Sequence, residues 1–445
     1  MGLRLIEGGR SGDDLPGLLV SGARSIATMT GGLRRGEAQS DVASLDGRDA
    51  WVAAWEGRVV ATGPADDVQI ILDEAGLPLD RFARLDAGGN LVTPGLVDPH
   101  THLLFAGTRE REHLLRQQGA GYLEILAAGG GILATVEATR QASRDELLAH
   151  GRRWLDEMLR HGTTTVEAKS GYGLDLATEL RLVDDAYRLG SEGPVDVVPT
   201  YLGAHAVPAE FRDRPNGTSA YVRNVIDEQL PGIAAQGRAR FCDVFCEEGV
   251  FGADESREIL EAARAYGLEP RLHADELAPS GGAELAAELG AASADHLGAV
   301  SEAGIAALAA AAASERPVVA TLLPATTWFL MKASHAPART LIEAGVPVAI
   351  GTDFNPGTSP TPSLPLAMTL ACLQLRMSPA EALVAATINA ARAVGLESEV
   401  GSLEAGKQAD LVVWSVPTVE QLPYWPGADL VRVVVKRGRI VVDRR

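Results

Sequence analysis

The sequence predicts an α/β protein: a (β/α)8 TIM-like barrel with a small β-sandwich domain built from both chain ends. Three observations predict it. From about Val97 onward, β-branched runs alternate with Ala/Leu/Glu-rich helical stretches, eight such runs follow one another, and the conspicuous polar residues stand at their ends. A barrel of parallel strands joined by helices carries its active site at those strand ends.

In chain order the eight runs are "GLVDPHTH", "TTTVEAKS", "VDVVPTYLGAH", "ARFCDVFCE", "EPRLHAD", "SADHL", "PVVATLLP" and "VPVAIGTD", which places the barrel at residues 94–397. The flanks, residues 1–93 and 398–445, differ: their short β-runs are broken by Gly and Asp, with hairpin-like "EGR" and "RGR" turns. Neither flank can bury two sheet faces alone. The two are therefore expected to combine into one small β-domain, with the barrel inserted in it.

A chain of 445 residues that is 46% hydrophobic can bury a substantial core. Its formal charge of −19, with Lys and Arg scattered among acids, argues against a nucleic-acid or anionic-membrane partner, because a phosphate-binding surface needs clustered cations. Cys242, Cys246 and Cys372 are an odd set that cannot pair fully, and the opening "MGLRLIEGGRSGDDLPG" contains no apolar signal segment, so a cytoplasmic protein is expected. The apolar window "AGIAALAAAAA" ends at "SERP", short of the ~20 residues of a bilayer-spanning helix. It reads as an Ala-rich surface helix.

The stretch "LVTPGLVDPHTHLLFAGTRERE" puts His100 and His102 one residue apart at the end of the first run. Alternate residues of a strand point the same way, so both imidazoles face one point over the barrel mouth. A catalytic divalent ion takes such nitrogens at ~2.0–2.1 Å and needs one or two further protein ligands. His273, ending the fifth strand in "RLHADEL", and Asp353, ending the eighth in "AIGTDFNPGT", supply them. These ligands converge only if the barrel closes. A second ion would call for a bridging lysine, but the fourth run "FCDVFCEEG" has none, and Lys169 follows the second strand. One ion is therefore expected, with Lys169 as a structural ion-pair or rim residue.

With these residues in view the chain resembles the amidohydrolase superfamily. The resemblance runs from about Gly88 to near the end, through "PGLVDPHTHLLFAGTRE", "GGGILATVEATRQAS", "EAKSGYGL", "LGAHAVPAEF", "DVFCEEGVF", "HADEL", "DHL", "GTDFNPGT" and "GSLEAGKQADLVVW". The HxH, His and Asp set marks the superfamily, and "AGTRE", "SGYGL" and "GTDFNPGTSPT" narrow it. The resemblance implies hydrolysis of the ring amide of 4-imidazolone-5-propanoate to N-formimidoyl-L-glutamate, with one zinc or iron ion and a homodimeric assembly. The first roughly 87 residues match the family poorly in detail.

The chemistry must make a nucleophile from water and meet a resonance-stabilised carbonyl. An ion in an open site can lower the pKa of water to about 7 and polarise the carbonyl. The tetrahedral oxyanion then needs donors placed in advance, a role for His296 on the sixth strand. Glu276, three residues after His273, is the candidate for carrying the proton from water to the leaving nitrogen, with Asp353 as possible assistant. A propanoate tail needs a local cation, and Arg109 after the first strand can grip a carboxylate with two parallel bonds as Lys cannot. The resemblance assigns Arg109 to that tail. It also assigns Tyr172 and His205 to substrate contact, and Asn355, Gly357 and Thr358 to a loop closing over it.

Two readings compete. A mononuclear metal aminohydrolase acting on a purine- or pyrimidine-like ring would keep the barrel and the ion but have little use for Arg109. A catalytically dead scaffold would have lost a ligand, and none is missing. Among weaker signals, "GSLEAGKQ" lacks the Ser or Thr of a phosphate loop and is followed by a strand-like "ADLVVW". Gly129 to Gly131 lack a dinucleotide pattern and read as a permissive segment near the mouth. The "NGT" at Asn216 carries no message without an export signal. Cys242 and Cys246 read as buried apolar residues.

Overall fold

A computed structural model describes residues 16–119, 130–212 and 214–445. Before the barrel, the described chain forms β1 (Gly17–Ser21), β2 (Ser25–Ala27), β3 (Ser44–Asp46), β4 (Ala50–Trp55), β5 (Arg58–Pro64), β6 (Phe82–Asp86) and β7 (Leu91–Pro94). The barrel strands are β8 (Leu96–Asp98), β9 (Thr163–Lys169), β10 (Asp196–Ala204), β11 (Phe241–Cys246), β12 (Glu269–Ala274), β13 (Ser293–His296), β14 (Val319–Leu322) and β15 (Val348–Ile350). The chain ends through β16 (Leu411–Trp414), β17 (Val431–Lys436) and β18 (Arg439–Asp443). All eight runs expected to be barrel strands are strands, and each pairs in parallel with the next.

Closure of the barrel happens beyond the last residues of β8 and β15. Asp353 donates its N–H to the His100 carbonyl (3.0 Å) and His102 donates to that of Phe354 (2.9 Å), with a parallel bridge between Thr101 and Phe354. The seam that shuts the barrel is thus made by the same residues expected to hold an ion. Asp98 reinforces it, accepting from the Thr352 N–H (3.1 Å) and hydroxyl (2.6 Å). Gly351 sits where a Cβ would lie 3.2 Å from both Asp98 Oδ1 and His100 Cβ, so this close approach depends on glycine.

The two chain ends combine as expected. One sheet has four strands in the order β5-β4-β1-β6, and the other has six in the order β18-β17-β16-β7-β2-β3. In the six-stranded sheet β16 from the carboxyl flank pairs antiparallel with β7 from the amino flank, Val412 opposite Thr93. The "EGR" and "RGR" signals become two-residue hairpin turns. Glu56 (φ 48°) and Gly57 (φ 83°) join β4 to β5, and Arg437 (φ 47°) and Gly438 (φ 72°) join β17 to β18. Positive φ at both central residues matches the twist of an antiparallel pair.

Side-chain alternation gives the six-stranded sheet two buried faces. Leu411, Val413, Val433 and Val435 pack with Leu18, Val52 and Leu85 of the four-stranded sheet. Their neighbours Val412, Trp414, Val431 and Val434 pack instead into the barrel's core with Leu155, Met158 and Leu159. This is why "LVVW" of β16 and "VVV" of β17 read as unbroken apolar runs. The segment Arg34–Gln39 also reaches the barrel, the Gln39 amide bonding the Val348 backbone and the Arg34 N–H donating to Asn389.

The Ala-rich window forms the helix Glu302–Ala311, which buries only Gly304 and Leu308. Cys242 and Cys246 are buried and unpaired. Among the described residues no helix is long and apolar enough to cross a membrane.

Candidate active site

His100 and His102 follow β8, His273 lies near the end of β12, and Asp353 follows β15. The barrel brings all four together, buried. Asp353 Oδ1 lies 3.5 Å from His100 Nε2 and 3.5 Å from His102 Nε2, and His102 Nε2 lies 3.4 Å from His273 Nε2. Donors held ~2.0–2.1 Å from a common tetrahedral centre lie about 3.4 Å apart. His100 Nε2 is buried with no hydrogen-bond partner, a costly state for a polar atom unless a cation meets it. Both observations fit a divalent ion.

The protonation states of His100 and His102 agree with this. Burial, followed by the Lys169 charge, holds His100 well below the usual histidine range, and burial, followed by His205, does the same for His102. Both are neutral, as ligation requires. Burial also pushes the Asp353 carboxyl up to about 7, against a 2.6 Å hydrogen bond from the Thr326 hydroxyl. A cation at Oδ1 reverses that shift. For His273, burial is outweighed by the Asp243 carboxylate, which raises its pKa.

His102, His273 and Asp353 line a cavity of about 580 Å³. Arg109, Tyr172, His205, Glu276, His296, Asn355 and Thr358 all line that cavity, and Gly357 lies against Arg109. His205 stacks on His102, ring centroids 4.8 Å apart, and its Nδ1 is 3.0 Å from the Gly171 carbonyl. Glu276 lies between two basic groups, Oε2 3.7 Å from His296 Nε2 and Oε1 3.8 Å from Lys332 Nζ. Burial pushes the Glu276 pKa up, but His296, Lys332 and His273 together outweigh it, so the carboxyl is ionised. Burial lowers His296 to about 4, leaving a neutral ring whose Nε2 is buried and unpartnered. The chain is tight here: His296 (φ 74°), Asp275 (φ 51°) and Asp353 (φ 51°) occupy left-handed conformations that side chains seldom adopt. Asp275 fixes its loop by accepting from the N–H groups of Ser280, Gly282 and Ala283 at 2.7, 3.1 and 3.0 Å.

Residues 91–441 match the model of the amidohydrolase family. The chain belongs to the amidohydrolase family. Members of this family are metal-dependent, and this amidohydrolase carries a buried His/Asp cluster that could hold a metal ion. Curated relatives match it end to end. It is 50% identical over 432 residues to an imidazolonepropionase of Geobacillus kaustophilus, covering 96% of this chain and 98% of the relative. It is 51% identical over 427 residues to an imidazolonepropionase of Symbiobacterium thermophilum, covering 96% and 97%. Among solved structures, a zinc-bound adenosine deaminase of Xanthomonas campestris shares the fold at a TM-score of 0.64 and 21% identity, with 96% and 93% of the chains covered. E. coli guanine deaminase shares it at a TM-score of 0.68 and 18% identity, with 96% and 100% covered.

Within this amidohydrolase, Arg109 is already held. Glu112 accepts from its Nε (2.8 Å) and Nη2 (2.7 Å), and the same carboxylate accepts from Arg116 (3.4 Å) and the Gly131 N–H (2.8 Å). Among the described residues, Arg109 Nη1 has no hydrogen-bond partner. The backbone passes close beneath it: a Cβ on Gly357 would overlap Arg109 Nη1. Asn355 shapes that loop, its Oδ1 accepting from the N–H groups of Gly357 (2.9 Å) and Thr358 (2.8 Å) and its Nδ2 donating to the Asp353 carbonyl (2.7 Å).

Several residues of the site escaped the sequence reading. Asp243 and Asp295 receive the Nδ1 edges of His273 (3.0 Å) and His100 (2.6 Å). Each stands as the lone acid of a buried strand, "FCDVFC" and "SADH", and a ligating histidine almost always needs a partner for its second nitrogen. That rule was the available signal. Lys169 is a buried ion-pair residue beneath the site and does not lie on the rim. Gly129 lies outside the described residues, while Gly131 caps the helix Ile132–Gln141 at φ 89°. The "GSLEAGKQ" segment pairs Lys407 with Glu404 (2.8 Å) and leads into β16, the arrangement expected of a segment without a nucleotide role.

Proposed function

We propose that this chain is an imidazolonepropionase, hydrolysing the ring amide C–N bond of 4-imidazolone-5-propanoate to N-formimidoyl-L-glutamate in histidine degradation. The observation that carries this reading is the end-to-end similarity to curated imidazolonepropionases, at 50% identity over 432 residues for one of them. An arginine lining the same cavity as the His/Asp cluster, its Nη1 without a partner among the described residues, suits a substrate with a carboxylate tail.

His100, His102, His273 and Asp353 would hold one zinc or iron ion. Bound there, the ion supplies Lewis acidity, acidifying water and polarising the amide carbonyl. Glu276, ionised and half-buried beside the cluster, accepts the proton from water and returns it to the departing ring nitrogen. His296, neutral, donates a hydrogen bond to the oxyanion as the carbonyl carbon becomes tetrahedral. Arg109 grips the propanoate. Tyr172, whose phenol burial keeps protonated, and His205 orient the ring, while Asn355, Gly357 and Thr358 bound it on the β15 side. We assign residues 1–93 with 398–445 to the small β-domain and 94–397 to the barrel, and the assembly to a cytoplasmic homodimer.

Incubation with 4-imidazolone-5-propanoate tests the reading. Metal-dependent loss of the ring absorbance with formation of N-formimidoyl-L-glutamate is expected. Ammonia release from purines or pyrimidines, with the imidazolone untouched, would assign the site to an aminohydrolase.

A further inference from the structure

Beneath the ion-binding cluster lies a charge cluster that the reaction does not touch. Lys169 Nζ, fully buried on the second barrel strand, is 2.6 Å from Asp243 Oδ2, 3.0 Å from Glu167 Oε1 and 3.6 Å from Asp295 Oδ2. Each of these carboxylates reaches a different part of the metal-binding shell. Asp243 Oδ1 holds His273 at both its Nδ1 (3.0 Å) and its backbone N–H (3.1 Å). Asp295 Oδ2 holds His100 Nδ1 at 2.6 Å. Glu167 Oε2 accepts from the N–H of Thr101, between the paired histidines, at 3.3 Å. Arg271 completes the group, donating to Asp295 (3.1 Å) and to the Pro99 carbonyl (2.7 Å) just ahead of His100.

We propose that Lys169 is a positioning residue for the metal site: its ammonium is the common counter-ion that fixes the three carboxylates, and through them sets the orientation of His100, His273 and the Thr101 backbone. The proposal rests on the reading of His100 and His273 as metal ligands.

Three buried carboxylates facing one another without a central cation repel, and an isolated charge in the interior is costly. Two carboxylate–histidine pairs, one joining β11 to β12 and the other joining β13 to the segment after β8, therefore share one point of attachment. Lys169 remains charged, since burial pushes its pKa down but Asp243 and Glu167 more than offset this. Simple Coulomb reasoning makes the opposite prediction from ours. A positive charge near a cation site repels the cation, so removing it should tighten binding. Positioning predicts that removing it weakens binding, because ligands lose their fixed orientation.

The test is the dissociation constant for Zn2+, measured by competition with a chromophoric chelator on the full chain. Wild type, Lys169→Met, Asp243→Asn and the double variant are compared, with His273→Ala as the control for the site. We expect Lys169→Met to bind about 10–100-fold more weakly, the range for loss of an outer partner of a metal ligand. In the double variant the second change should add less than about threefold, because the two act through one contact. Binding by Lys169→Met that equals or exceeds wild type overturns the proposal. Wild type that binds no ion, or an ion that His273→Ala does not lose, overturns the ligand reading instead. Should Lys169→Met fail to fold, Glu167→Gln replaces it: this change touches no histidine, must also weaken binding, and overturns the proposal if binding is unchanged.

Discussion

Arg109 and Gly357 act as one device, although they lie far apart in the chain. The guanidinium is held on one edge by Glu112, and its Nη1 end lies against the Gly357 backbone, which has no side chain to obstruct it. Gly357 does not occupy a left-handed conformation, so Gly357→Ala should fold normally yet displace the arginine. We expect it, like Arg109→Lys, to raise KM for the imidazolone about 10–100-fold, the worth of a charged hydrogen bond, with folding unchanged by circular dichroism. Glu276→Gln should instead lower kcat by about 10²–10⁴ with little change in KM, as expected of a lost proton carrier. Steady-state kinetics of the three variants separates tail binding from proton transfer. At this scale the sequence was informative wherever chemistry demands a particular side chain at a strand end, as at His100, His273 or Arg109. It was silent on Asp243 and Asp295, whose histidine partners stand 30 and 195 residues away in the chain.

The helix Arg144–Arg160 shows what an element adds. Its start is fixed by a reciprocal capping box between Ser143 and Glu146. One turn on, it carries His150, which packs edge-on against Phe105 at 4.3 Å. Burial, with a contribution from Arg153, lowers His150 from 6.5 to about 4. The unfolded chain therefore binds a proton that the folded chain refuses between those values. Stability from this residue is complete above pH 6.5 and is lost as pH falls from there toward 4. Denaturant titrations at pH 7 and pH 5 should show a smaller loss for His150→Phe than for wild type. The strands were legible as elements because β-branched runs bounded by Gly and Pro admit few alternatives, and the two hairpins because Gly57 and Gly438 supply the required positive φ. The layout of the two flanking sheets was not legible. Pairing of β16 with β7 joins segments more than 300 residues apart, and alternation was hidden because both faces are buried.

For the molecule as a whole, the ligands and the barrel seam coincide. The hydrogen bonds between the His100–His102 and Asp353–Phe354 segments close the barrel, and the same segments supply three of the four proposed ligands. An ion that binds only the folded chain adds stability through RT ln(1 + [ion]/Kd), about 2.7 kcal/mol at a hundredfold excess over Kd. Thermal melts should therefore show Tm falling after chelation and recovering on addition of Zn2+ or Fe2+, in parallel with activity. A melt indifferent to the ion would separate the seam from the metal site.

The alternating valines of β16 and β17 have one more consequence. Because successive residues serve opposite compartments, the six-stranded sheet is a wall with a room on either side, and neither room keeps its shape without it. Deleting the chain from Val431 onward should not trim an appendage; it should unroof the catalytic half as well, leaving material recovered only as aggregate and not a smaller working enzyme.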